Sequence, residues 1–379
     1  VNIAVLGVGR VGGAIARDLA AGGAFQVTAV DRSGDALEAL HGSSGIRTLE
    51  VDLSDPDRVA ALAAEHDLVV GAGPAALAFR SLEAVIDTAT PIVDISFFPE
   101  DPFALDALAQ NRRVVAIVDA GISPGMSNLL LGAFESRSTS IDRFICYVGG
   151  LPAERSGLFQ YKAPFSPEDV IELYTRPARY REAGLTRTVP ALSDLEEIEF
   201  TGVGTLEAFL TDGLRTVLRY EAIPNMREMT LRYPGHCRQM LLLRDLGLLD
   251  RMPLEVDGVA VSPRSVTSRL LFAHWQFAPG EEDLTVFRVE IDAERDGVLR
   301  RHVFELLDRY DRPTATSSMA RTTGYVCTAL VRLVASGRYA EPGISPPERV
   351  GTVPGCLEQV TRDLATRGVV LTESNAEIG

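Results

Sequence analysis

Gly7-Val8-Gly9-Arg10-Val11-Gly12 stands between a short apolar run, Asn2 to Leu6, and a stretch of helical composition, Gly13 to Ala20. A second apolar run, Phe25 to Val30, ends on Asp31. Strand, glycine turn, helix, strand and acid in this order can hold a dinucleotide. Gly7 permits the tight turn, Gly9 lets the backbone approach a pyrophosphate, and Gly12 lets the helix pack closely. The helix presents its first amides, near Arg10 and Val11, to the negative phosphates. Asp31 at the strand end would accept hydrogen bonds from ribose hydroxyls and repel a 2′-phosphate, so NAD is the expected cofactor. Arg32 beside it leaves three uses open: pairing with that phosphate, stacking on adenine, or facing water.

Other polar residues fall at strand ends and turns. Asp52, followed by Leu53, closes a third strand beside the expected adenine, where it either bonds the base or caps the helix Ser54 to Ala64. Gly71-Ala72-Gly73-Pro74 follows a fourth strand, and small residues such as Gly73 and Pro74 there leave room for a ligand. Asp119, followed by Ala120, closes a sixth strand, where such sheets place catalytic groups, ahead of the alternative that it merely caps a helix starting near Pro124. Lys162, Arg215 and His236 lie in polar turns farther along. Taken singly, Lys162 reads as a solvated cation, Arg215 as a surface ion pair and His236 as an exposed loop histidine.

These residues need elements to position them. Runs at Ile46–Leu53, Asp67–Val70, Pro91–Ile95 and Val114–Val118 alternate with helical stretches at Gly34–Leu40, Leu77–Thr88 and Leu105–Gln110. Six strands by about residue 121 predict an α/β, doubly wound parallel Rossmann sheet over 1–122. From Ile141 the rhythm changes. Phe144–Val148, strands between about 196 and 209, Ser262–Phe277, Asp283–Asp292 and Gly297–Tyr310 read as neighbouring strands. They predict a second α+β domain over 123–321 with a largely antiparallel or mixed sheet. Residues 322–379, with helices at Thr322–Ser336 and Gly355–Thr366 and a last strand at Val369–Leu371, are too few to stand alone and are expected to return to the Rossmann domain.

Composition sets the bounds. A chain of 379 residues exceeds what one core usually supports. A net charge of −15 with no basic stripe argues against nucleic acid, and no apolar stretch is long enough to span a membrane. Cys146, Cys237, Cys327 and Cys356 show neither zinc-ligand spacing nor a disulfide framework, so no metal is expected. With the first strand starting at residue 2, no room is left for a signal peptide, and a cytoplasmic protein is expected.

Several segments carry a resemblance that runs along nearly the whole chain: VDISFFPEDP at 93–102, DAGISPGMSN at 119–128, YVGGLP at 147–152 and YKAPFSPEDVIELYTRPAR at 161–179. FLTDGLR at 209–215, TLRYPGH at 230–236 and SSMARTTGY at 317–325 complete the set. In these the chain resembles the saccharopine reductase-like dehydrogenases, and within them the NAD-dependent L-lysine 6-dehydrogenases. The resemblance implies oxidation of the lysine ε-amine to 2-aminoadipate 6-semialdehyde, which cyclises to a piperideine carboxylate, with ammonia and NADH. It implies that Asp119 stands nearest the amine, that His236 is a neutral base, and that Lys162 activates water or stabilises an anion. Arg215 would hold the substrate carboxylate, with Tyr147, Gly149 and Gly150 beside it. A homodimer through the second domain is expected. Reductive coupling of an aldehyde with an amino acid, or oxidation of another amine, is the alternative on the same scaffold.

Overall fold

The computed structural model describes residues 1–163, 167–278 and 280–378. Its strands, in chain order, are Asn2–Leu6 (β1), Gln26–Asp31 (β2), Ile46–Glu50 (β3), Leu68–Gly71 (β4), Ile92–Asp94 (β5) and Val115–Ile117 (β6). Ser140–Pro152 (β7), Ala178–Glu182 (β8), Leu185–Val189 (β9), Glu196–Phe200 (β10), Gly204–Leu210 (β11) and Asn225–Arg232 (β12) follow. Leu254–Val256 (β13), Val259–Val261 (β14), Asp283–Arg295 (β15), Val298–Arg309 (β16), Gly343–Ser345 (β17) and Thr372–Glu377 (β18) complete the set. The chain forms two compact units, Val1–Arg137 with Ala320–Val370, and Ser138–Met319 with Leu371–Gly379. Among the described residues no helix is long and apolar enough to cross a membrane.

The first unit is a parallel sheet ordered β17-β6-β5-β4-β1-β2-β3. Its central strands are near-continuous apolar runs because helices cover both faces. Ala4, Leu6, Val69, Ile92, Ala116 and Ile344 are among the residues of one core there, each 2% exposed or less. The seventh strand, β17, is an addition to the six expected; three residues in a Pro-rich stretch give no period to read. It joins a returning segment that is fastened in two ways. Asp18, which is 9% exposed, pairs with Arg332 at 2.9 Å and with Arg367. A Cβ on Gly132 would lie 1.8 Å from the Glu348 carbonyl, so only glycine lets the helices Met126–Glu135 and Pro347–Thr352 touch.

The second unit is a nine-stranded mixed sheet, β10-β11-β12-β7-β15-β16-β18, with β8 also on β12 and β9 on β8. Among the described residues of this sheet only β7 and β12 run parallel; the other pairs are antiparallel. Two expected strands are corrected. Ser262–Phe277 is a helix, Pro263–Trp275, whose Ser262 side chain accepts the Ser265 amide. Thr267, Leu271 and Trp275 are its buried residues. They recur every fourth position, a helical period, and Ser-Pro is a helix-start signal. The last strand is β18 rather than Val369–Leu371, and it pairs with β16 in the second sheet. All six of its residues are exposed and five of them are polar, so no alternation marked it.

Candidate active site

The glycine turn of the first unit has the geometry that its spacing implies. Gly7 has φ +90, and a Cβ there would lie 2.6 Å from the Ala72 carbonyl oxygen. A Cβ on Gly12 would lie 1.9 Å from the Gly7 carbonyl oxygen, whereas one on Gly9 meets no described atom within 4 Å. The turn is therefore closed at Gly7 and Gly12 and open at Gly9, where a pyrophosphate needs the space. Arg10 and Val11 open the helix Arg10–Ala20 directly beyond it. Asp31 is bound to this turn: Oδ2 accepts the Val8 amide at 2.9 Å and Oδ1 the Ser33 amide at 2.9 Å. Arg32 is exposed. Asp52 accepts the Ser54 amide at 3.0 Å, but the next helix is capped by Asp55, not by Asp52. The Ser54 bonds and then the nearby Arg32 and Arg58 hold the Asp52 carboxyl below its ordinary value.

Leu53, Gly73 and Pro74 line one hollow with Leu6, Asp94 and Ser96. Ser96 Oγ donates to the Gly73 carbonyl at 3.2 Å, and the Ala120 amide donates to the Asp94 carbonyl at 2.9 Å. Asp119 is 2% exposed and takes a left-handed conformation, φ 56, immediately past β6. It thus lies at the carboxyl end of the same sheet as the glycine turn. The turn after it is held by Asn128, whose Oδ1 accepts the Gly125 amide at 3.3 Å while its amide donates to Glu348 at 2.9 Å.

In the second unit His236 is the first residue of the helix His236–Asp245 and is 2% exposed, which corrects the exposed-loop reading. Its Nδ1 is 3.0 Å from the Phe159 carbonyl, an acceptor only, so Nδ1 carries the proton. Nε2 then accepts from the Tyr174 hydroxyl at 2.8 Å, and that hydroxyl oxygen accepts from Arg232 Nε at 2.8 Å. The chain Arg232 to Tyr174 to His236 to Phe159 is consistent in every donor and acceptor. Burial first, and then the Arg232 guanidinium, push the His236 pKa down to about 3, so the ring is neutral. Arg232 also lies 4.4 Å over the Tyr161 ring. Among the described residues Arg232 Nη2, the Tyr161 hydroxyl and the Trp275 indole nitrogen have no hydrogen-bond partner.

The other expected residues of this unit lie in a loop, in a short 3₁₀ helix and in β7. Lys162 donates to the Gln276 carbonyl at 2.9 Å and pairs with Glu281 at 2.9 Å. Arg215, half-buried with φ 46, opens the short 3₁₀ helix Arg215–Arg219. Tyr147 donates to Glu196 at 2.9 Å, and burial, then Glu196, raise its pKa. Gly149 and Gly150 lie in β7 opposite Val286 and Thr285. A Cβ on Gly149 would meet Leu231 Cβ at 2.8 Å, so this glycine lets β7 and β12 approach. Residues 164–166 of the YKAPFSPED segment lie outside the described residues.

Residues 3–117 match the Saccharopine dehydrogenase NADP binding domain, and residues 121–369 match the Saccharopine dehydrogenase C-terminal domain. The chain belongs to the saccharopine dehydrogenase family. It is 21% identical over 417 aligned positions to Saccharopine dehydrogenase (NADP(+), L-glutamate-forming) of Saccharomyces cerevisiae, covering 91% of this chain and 93% of that protein. It is 23% identical over 264 residues to the mitochondrial alpha-aminoadipic semialdehyde synthase of Rattus norvegicus, covering 66% of this chain but 28% of the rat protein. The apo saccharopine dehydrogenase (L-Glu forming) of S. cerevisiae superposes with a TM-score of 0.81 at 20% identity over 99% of both chains. The homospermidine synthase of Legionella pneumophila, in complex with NAD, gives 0.68 at 10% identity over 100% of this chain and 91% of that one. At such identities the structural likeness establishes the fold.

Members of this family are oxidoreductases, and the first unit fits a nicotinamide dinucleotide: Gly9 leaves space, the helix supplies amides, and Asp31 is fixed. Sequence reasoning missed Arg232, Tyr161 and Tyr174, which read as ordinary members of TLRYPGH and YKAPFSPEDVIELYTRPAR. It also missed Glu228, a buried carboxyl that accepts from Thr211 Oγ1. A Cβ on Gly213 would lie 2.5 Å from the Glu228 carboxyl, so the Asp212-Gly213 turn is built against it. Burial raises its pKa to about 7, against the hydrogen bonds from Thr211 and Gly213. Its strand, NMREMTLR, is largely polar, so no sequence signal marked this acid as buried.

Proposed function

We propose that this chain oxidises the ε-amine of L-lysine with NAD, releasing ammonia and 2-aminoadipate 6-semialdehyde, which cyclises to a piperideine carboxylate. The observation that carries the reading is Asp119, buried and left-handed at the carboxyl end of β6, on the sheet that bears the glycine turn. Bound NAD supplies the hydride acceptor. An amine loses hydride only from its neutral form, and the lysine ammonium ordinarily holds its proton to about pH 10.4. Asp119 holds the ammonium and takes or relays that proton. His236 has both ring nitrogens engaged, so its part is to fix Tyr174 and Arg232, and proton acceptance passes to Asp119. Arg215 holds the α-carboxylate through a bidentate fork, with Tyr147, Gly149 and Gly150 shaping the site. Lys162 orders the water that adds to the imine. NAD over NADP is supported by the fixed Asp31 carboxylate, although the family's nucleotide domain is described as NADP binding.

The reading includes a homodimer through the second unit. Supporting it, the β13–β14 hairpin exposes Leu254, Val256 and Val259, and so small a sheet is marginal in water alone. A mass by light scattering of one chain would remove this part. A second reaction, reductive coupling of the semialdehyde with glutamate, is favoured by the nearly full-length match to the yeast enzyme. One assay separates them: NADH formation from lysine at alkaline pH, against NADH consumption with semialdehyde plus glutamate. Turnover only in the second arm overturns the lysine reading.

A further inference from the structure

A groove of about 410 Å³ opens in the second unit, and none of Lys162, Arg215 and His236 lines it. Four arginines, Arg176, Arg244, Arg251 and Arg264, converge there against two carboxylates, Glu172 and Asp250. Such an excess of cations is unexpected on a chain whose net charge is −15. Glu172 is the hub. Its Oε1 accepts from both Arg251 and Arg264, and Arg176 lies 3.9 Å from Oε2. Burial works against the charge on Glu172, but Arg264 and Arg251 prevail and hold its pKa down. Leu249, 3% exposed, adds an apolar lining.

The side chains differ in how firmly they are held. Arg264 is 15% exposed, whereas Arg251 is 72% exposed. An ion pair this open is weak, so its guanidinium is exchangeable. Arg244 is oriented by its bonds to Asp245 and the Ala191 carbonyl. Guanidinium forks facing one space match the oxygens of phosphoryl groups. The volume lies within the roughly 300–1,000 Å³ range of small-molecule sites and well exceeds one phosphate.

We propose that this groove binds a small compound carrying two or more phosphoryl groups, with Glu172 occupying the arginines until that anion arrives. The test is calorimetric titration of the full-length protein with inorganic pyrophosphate, with citrate as a non-phosphoryl trianion. Arg251→Glu, at an exposed position that the fold does not need, should weaken pyrophosphate binding by about tenfold or more. Glu172→Gln removes the internal competitor and should tighten it by about fivefold. A purely structural ion-pair cluster predicts the reverse for Glu172→Gln: lost stability and no gain in binding. Binding insensitive to Arg251→Glu would place pyrophosphate elsewhere, at the glycine turn for instance, and overturn the proposal. Citrate binding as tightly as pyrophosphate would show that charge alone is read, and would overturn the phosphoryl assignment.

Discussion

Asp31 Oδ2 accepts the Val8 amide at 2.9 Å, so the acid proposed to read the ribose is fastened to the turn proposed to hold the phosphates. Asp31→Ser should therefore act twice. It removes the charge that repels a 2′-phosphate, and it loosens the turn. We expect the unmodified protein to favour NAD over NADP by at least about tenfold in kcat/KM. The variant should narrow that gap chiefly by losing NAD efficiency. Equal use of both cofactors before substitution would sink the assignment.

Arg215→Lys keeps a charge but loses the planar fork. For lysine, kcat/KM should fall by roughly 10- to 100-fold, about 1.4–2.7 kcal/mol. NAD affinity should barely change, and turnover of an amine lacking the carboxylate should fall much less. Equal losses on both substrates in a folded variant would make Arg215 structural.

Two buried groups pull the pH dependence of stability in opposite directions. His236 falls to about 3 in the fold, so the stability from its neutral state is complete above about 6.5 and is lost as pH falls towards 3. Glu228 rises to about 7, so the fold favours its protonated form, and stability falls as pH rises from about 4.3 to 7. His236→Gln should expose the second effect, with stability increasing as pH is lowered from about 7 towards 4.3. Glu228→Gln should instead lose stability steadily below about pH 6.5. Urea unfolding across pH decides, and superimposable profiles for all three proteins would contradict both assignments.

Gly149→Ala places a methyl 2.8 Å from Leu231 Cβ and 3.0 Å from its carbonyl oxygen. Neither neighbour is the end of a flexible side chain, so β7 and β12 must separate, at about 1–3 kcal/mol. The melting temperature should drop, and NAD affinity should not. An unchanged melting temperature would mean that the strands adjust freely.

The parallel sheet was legible because β1, β4, β5 and β6 are largely buried apolar runs, and Gly7, Gly9, Gly12 and Asp31 stand at spacings that a ligand dictates. The second sheet was legible as a class, although its helix Pro263–Trp275 was misread where the i, i+4 recurrence of Thr267, Leu271 and Trp275 was overlooked. His236 was misread for a different reason. A Pro-Gly turn usually faces water, and only tertiary packing carries the following residue under Tyr174 and Trp275. Glu228 was invisible because burial, which raises its pKa, is a property of the folded sheet and not of its neighbours in sequence.

Strand β17 has a consequence for how the protein is made. On a ribosome, β6 emerges early, but the strand that covers its outer edge leaves the exit tunnel only after the Ser138–Met319 part of the second unit has been synthesised. Until then the sheet presents unpaired backbone amides and carbonyls, the kind of template to which a stray strand can add. The nascent chain thus spends most of its synthesis with an open β-edge. Factors that shield such edges should matter more for its yield in cells than its final stability would suggest.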